Sequence, residues 1–394
     1  MVPLRITAMT AISAIGTGLA ASRAALHGRH GGLAPCTMPG MPAGIWTGQI
    51  RDADLVPITG QLAGFDCRNN RIAEAALRTD GFAEAVLDAR ERFGPARVAV
   101  ILGTSTSGIE ETEQAYTRRD ADGALPTVDY ARTHDLHSLP RYVRARLGLR
   151  GPAFSISTAC TSGALTLLEA ARMIEVGIAD AVVAGGADSL CRLTLHGFAS
   201  LELLARGACR PCSADRDGIC IGEAAGLVLL ERATPGDAGA LGLLGAGASS
   251  DGHHMSSPHP DGLGAMAAMH AALTAAGIGP TEIDFISMHG TGTRANDAME
   301  DRAIAQLFGD RVPASSTKGY TGHTLGASGA LEAVFAGLCI EDGLIPGCLN
   351  IDTPDAGFGT RIAVGNSGAR VDRVLKNAFG FGGSNVALVI GRLP

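Results

Sequence analysis

Short apolar runs closed by glycine alternate along the chain with stretches whose apolar positions recur every three to four residues. The first run predicts a strand over Arg5–Ser13, and a glycine turn then leads into a short helix over Leu19–His27. This start imitates a signal peptide, with Arg5 ahead of an apolar stretch, but Gly16 and Gly18 interrupt the apolar segment. "RVAVILGTS" (Arg97–Ser105) and "DAVVAGGADS" (Asp180–Ser189) read as buried strands that stop at glycine. Between them, "TLLEAARMIEVG" places Leu167, Leu168, Ala171 and Ile174 on one helix face, with Gly177 suited to its C-terminal cap. "GEAAGLVLLER" (Gly222–Arg232) follows as a strand.

A Pro/Gly/Ala stretch at Arg232–Ala240 marks a seam, after which the rhythm restarts. Strand "ALGLLGAGASS", helix "GAMAAMHAALTAAG" and strand "EIDFISMHG" precede a helix over Asp297–Phe308. Strand "VPASST", helix "LGASGALEAVFAGLCIEDG" and further strands complete the chain. The alternation predicts an α/β fold built from two halves, residues 1–235 and 236–394, with similar orders of elements.

Composition narrows the classes. A chain of 394 residues exceeds one hydrophobic core and suits two fused halves. The net charge of −7 argues against a nucleic-acid surface, and no apolar run reaches the roughly 20 residues that span a bilayer. Nine cysteines without a repeated spacing suggest reduced thiols in a cytoplasmic protein. The one CxxC, Cys209–Cys212, lacks a second pair at zinc-finger spacing and reads as an ordinary loop.

Three segments share one design, in which a strand delivers a reactive residue to a glycine-rich turn. They are "STACTSGA" with Cys160, "SMHGTGTRAND" with His289, and "SSTKGYTGHTLGASGALE" with His323. A fourth, "NAFGFGGSN", brings Phe379, Phe381 and backbone amides into a turn. Such strand ends in α/β sheets usually converge on one crevice. Cys160 falls where a strand gives way to a helix, so it is either a small packing residue or a thiol drawn toward the thiolate by the helix N-terminus. One cysteine with two imidazoles suits acyl-thioester chemistry.

Together with "VVAGGADS", "DRDGICIGEAAG" and "SSDGHHMSSPHPDG", and in this order, these segments resemble the β-ketoacyl-acyl carrier protein synthases of the elongating Cys-His-His type. The resemblance covers nearly the whole chain. It implies a thiolase-like fold, two duplicated halves in a five-layered αβαβα sandwich, usually dimeric. It makes Cys160 the acyl-accepting nucleophile, with the amides of Cys160 and Phe381 as oxyanion hole. His289 and His323 would stabilise the enolate formed as malonyl is decarboxylated, and Lys318 and Glu332 would orient them. Phe381, with Phe379 beside it, resembles the gate between acyl and malonyl sites. Thr291 and Thr293 match positions that bind the pantetheine arm. The implied partners are an acyl carrier protein and either a second copy or a chain-length-factor-like subunit.

No cofactor is implied, because substrates arrive on the carrier's phosphopantetheine arm, and no metal is expected at His253, His254 or His259, where the family places a loop over the site. Arg68, Arg71, Arg206 and Arg210 are candidates for a patch that meets an acidic carrier. Ala224 stands where glycine is commoner in the family. The polar, acidic loop "GTSTSGIEETEQ" (Gly103–Gln114), with the compact start and "CRNNR", is similar to the aryl polyene and xanthomonadin-type pigment branch rather than to housekeeping elongation. Three other readings are weighed against this one. A thiolase acting on coenzyme A thioesters would need a second catalytic cysteine near the C-terminus, yet none follows Cys348. A non-catalytic chain-length-factor partner would lack the nucleophile. An initiating condensing enzyme would carry asparagine in place of His323.

Overall fold

The computed structural model describes residues 1–394. Its first half contributes strands β1 (Leu4–Ser13), β2 (Val98–Gly103), β3 (Ala153–Ile156), β4 (Ala181–Asp188) and β5 (Ala224–Arg232). The second contributes β6 (Leu241–Ser250), β7 (Phe285–Ser287), β8 (Ala314–Ser315), β9 (Arg373–Gly380) and β10 (Ser384–Arg392). The strand order is β3-β2-β4-β5-β1 in one half and β8-β7-β9-β10-β6 in the other. In each half the first two neighbouring pairs are parallel and the last two antiparallel. The two sheets meet at a short antiparallel contact, Leu4 opposite Leu243 and Arg5 opposite Gly242. Identical topology without visible sequence repetition shows that the pattern of strand and helix, rather than particular residues, is what the halves share.

The principal helices are α1 (Gly18–Gly28), α2 (Arg68–Leu77), α3 (Phe82–Phe93), α4 (Ser138–Arg146), α5 (Ser162–Glu175), α6 (Leu263–Ala276), α7 (Arg294–Phe308) and α8 (Ser328–Asp342). Three apolar clusters define the layers. One joins the inner faces of both sheets to α5 and α8. A second packs α2, α3 and α4 on the outer face of the first sheet, and a third packs α6 and α7 on the second. The result is the five-layered αβαβα sandwich of the thiolase-like fold. α8 is buried continuously from Ser328 to Ile340, which explains a helix that is apolar on every face.

α5 follows β3 in the first half, as α8 follows β8 in the second. The ends of these central helices meet closely: a Cβ on Gly163 would lie 2.7 Å from the carbonyl oxygen of Gly326. Cys160 precedes α5 and His323 precedes α8, so the internal repeat delivers both from corresponding connections. α7 begins at Arg294, three residues before the predicted start, because the Thr293 hydroxyl accepts from the Asn296 amide and caps it there.

Candidate active site

Cys160 is held in a tight turn. Ala159 before it takes φ +53°, a left-handed conformation that is strained for a residue with a side chain. Ser162 ties this turn together, accepting from the Thr158 amide at 2.9 Å and donating to the Ala159 carbonyl at 2.5 Å. Gly380 lies against the same turn: a Cβ there would stand 3.1 Å from the Thr158 carbonyl oxygen and 3.3 Å from the Cys160 nitrogen. That contact brings the Phe381 amide to the sulfur, beside the Cys160 amide. Burial pushes the thiol up to about 12, opposed by the positive charge of Lys318 and by these two amides. Burial thus favours the protonated thiol, against the pull of Lys318 and the two amides toward the thiolate.

His289 leaves the end of β7, and Gly290 after it turns at φ +41°, where a Cβ would strike the Ser316 side chain at 2.5 Å. Glu300, on α7, accepts from the His289 and Gly290 amides at 2.8 Å each. Lys318 donates to the His289 carbonyl at 2.5 Å, to Glu332 at 2.6 Å, and lies 3.4 Å from His289 Nδ1. His323 Nδ1 accepts from the Leu325 amide at 3.3 Å.

These contacts fix both tautomers. An ammonium and a backbone N–H only donate, so each Nδ1 accepts and each proton sits on Nε2. The rings stand edge to face with centroids 5.2 Å apart. Burial, then the charge of Lys318, holds both imidazoles well below their ordinary range, so both are neutral. Sγ of Cys160 and one ring nitrogen of each histidine lie within 4.8 Å of one another.

One cavity of about 360 Å³ receives these groups. Thr291, Thr293, Phe379 and Phe381 also line it, and Phe381 is 37% exposed at its mouth, packed against Phe198. Ser256–Pro258 from the histidine-rich loop close one side. His253, His254 and His259 are occupied locally: the first and last pack together, and His254 Nδ1 accepts from the Ser256 and Ser257 amides. Cys160 is the one cysteine on the cavity wall, which leaves no place for a second thiol catalyst.

Comparison with known proteins agrees with this geometry. Residues 70–235 match the beta-ketoacyl synthase N-terminal domain and residues 242–352 its C-terminal domain. The chain is 39% identical to a 3-oxoacyl-[acyl-carrier-protein] synthase 2 of Rhizobium meliloti over 74% of its length and 73% of the relative's. It is 33% identical to the Vibrio cholerae protein of the same name, over 85% of its length and 88% of the relative's. This chain belongs to the β-ketoacyl synthase family. Among solved structures, the ketosynthase (ApeO)–chain length factor (ApeC) complex from Xenorhabdus doucetiae contains a chain with a TM-score of 0.91 and 37% identity, covering 100% of this chain and 98% of that one.

In this ketosynthase the nine candidate residues Cys160, His289, His323, Lys318, Glu332, Phe379, Phe381, Thr291 and Thr293 come together at one site. The arginine patch does not. Arg68 is 15% exposed and its guanidinium is spent on buried Glu223 (2.5 Å) and on Asp52 (2.7 Å), so it belongs to the interior rather than to a docking face. Arg71 pairs with Asp66 at 2.6 Å, and Arg210 lies 3.4 Å from both Asp215 and Asp217. Arg206 alone is exposed without a carboxylate on its side chain, and its amide bonds Asp217 on the cavity wall.

Residues of the acidic loop are tied into the fold. Thr104, Ser105 and Thr106 bond buried Asp188, while Glu113 accepts from the Arg192 and Leu193 amides at a helix start. The CxxC cysteines have different neighbours: the Cys209 amide meets Cys220 Sγ, and Cys212 faces Met288.

Sequence reasoning missed Lys376, Glu300 and Asn377. All three are buried around the histidines, and burial pushes Glu300 up to about 7. One signal was present: Lys318 and Lys376 are the only lysines in the chain.

Proposed function

We propose that Cys160 accepts an acyl chain from an acyl carrier protein and that the two histidines drive its condensation with malonyl on a second carrier. The thiol attacks the thioester carbonyl, the oxyanion is held by the Cys160 and Phe381 amides, and the thiol proton ends on the departing pantetheine sulfur. Malonyl-carrier then enters, its arm bonded by Thr291 and Thr293. Its carboxylate leaves as carbon dioxide, and the electron pair moves onto a thioester oxygen that receives the two Nε2–H bonds. The carbanion attacks acyl-Cys160, the C–S bond breaks, and the sulfur takes up a proton as 3-oxoacyl-carrier departs. The observation that carries this reading is the single cavity in which a thiol faces two neutral imidazoles with their donors inward.

The same tautomers speak against a metal at Cys160, His289 and His323. A histidine ligand characteristically donates its outer N–H to a carboxylate or carbonyl, freeing the inner nitrogen. Here both outer nitrogens accept, so the inner ones carry protons.

We further propose pairing with a chain-length-factor-like subunit and extension of a conjugated, pigment-type acyl chain, supported by likeness to the ketosynthase–chain length factor complex. Mass spectrometry of the adduct on Cys160, after purification from the host, tests both the nucleophile and the branch. An unsaturated or aryl-bearing acyl group is expected; a saturated one would indicate housekeeping elongation, and no Cys160 adduct would remove the nucleophile.

Carrier docking is proposed at Arg206. Arg206→Glu is expected to raise the apparent KM for the carrier about three- to tenfold, with the effect shrinking as salt is added. An unchanged KM at low salt would discard this contact.

A further inference from the structure

We propose that Lys376 and Asn377, adjacent on β9, are positioning residues that fix His289 from both sides of its peptide backbone. The inference rests on the reading of His289 as a donor to the malonyl thioester oxygen, and it names residues outside the set assigned above.

Successive residues of a strand face opposite ways, and β9 lies between α8 and α7. Lys376 faces α8, where its ammonium pairs with Glu332 Oε2 at 2.7 Å. The other oxygen of Glu332 takes Lys318, whose ammonium in turn reaches the His289 carbonyl. Asn377 faces α7, where its amide donates to Glu300 at 3.1 Å, and Glu300 accepts the His289 and Gly290 amides. Two polar chains that start at neighbouring residues thus end on the N–H and the C=O of His289. Register supports the clamp. β9 runs parallel beside β7, with Lys376 opposite Ser287, two residues before His289.

The choice of lysine is informative. Among 32 basic residues this chain uses arginine everywhere except at Lys318 and Lys376. Both are fully buried, and both meet the same carboxylate. A guanidinium is a wide planar fork, whereas an ammonium is a compact donor that can contact Glu332 and the Asn377 carbonyl in a closed space. A surface cation would not impose this choice.

The test separates the two half-reactions in the full-length enzyme. Lys376→Met and Asn377→Ala are expected to lower malonyl-carrier decarboxylation about 10- to 100-fold, since small misplacements of a catalytic group cost that much. Acylation of Cys160 from acyl-carrier should stay within about threefold of wild type, because no atom of the thiol turn is touched. Lys376→Arg is expected to resemble Lys376→Met. If Lys376→Met does not accumulate folded, Asn377→Ala, which removes no charge, decides the matter. Equal losses in both half-reactions that follow a lowered Tm, or unaltered decarboxylation in a folded variant, would overturn the proposal. A wild-type enzyme that showed neither half-reaction would instead overturn the functional reading beneath it.

Discussion

Cys160→Ala is expected to reduce acyl transfer and condensation by about 10⁴-fold or more, the scale seen when a covalent nucleophile is deleted. Malonyl decarboxylation should remain measurable in the same protein. The two steps share a cavity but not their working groups: the Nε2–H donors are fixed from behind by Lys318 and by the Leu325 amide, neither of which touches the sulfur. Stability is expected to change little, because the side chain lost is small and borders a cavity rather than the apolar core. Radiolabelled or mass-tagged acyl-carrier measures the transfer, and released carbon dioxide measures decarboxylation. Condensation that persists in Cys160→Ala would show that some other group receives the acyl chain, and the reading of the site would fall with it.

What the sequence made legible has a physical pattern. Cys160, His289 and His323 were visible because each follows a strand and sits beside glycines that close backbone contact requires. The duplicated rhythm was visible because strands and helices differ in period. Residues whose meaning depends on a distant partner were not. Arg68 stands at a helix start like any surface cation, and nothing nearby announces that Glu223 waits inside the fold. Glu110 and Glu111 look like an acidic surface, but Arg68 and Arg71 lie close to them across the interior. Lys376 interrupts an apolar strand, and only the packing of α8 against β9 turns it into a buried ion-pair partner. Local conformational demands are written in local sequence, whereas electrostatic pairing is written in topology.

The second large effect concerns the imidazoles. His289→Ala and His323→Ala are each expected to lower malonyl decarboxylation by about 10²–10³-fold, the usual cost of one preorganised donor to a developing oxyanion. The double variant should fall well short of the product of the two single effects, since both donors serve one oxygen. The pH dependence follows from the same contacts. Burial and the charge of Lys318 depress both imidazoles, so their neutral form persists as pH falls through 6.5, and protonation sets in only well below it. A second proton on either ring would have to go to Nδ1, where it would face the Lys318 ammonium or the Leu325 N–H, donor against donor. The imidazoles are accordingly expected to impose no loss of wild-type decarboxylation between about pH 6 and 8, so any change in that window belongs to Glu300, whose carboxyl burial pushes up to about 7. A loss of activity centred near the ordinary histidine value of 6.5 that persists in Glu300→Gln would mean that an imidazole there titrates freely, and that the donors are not held as the structure holds them.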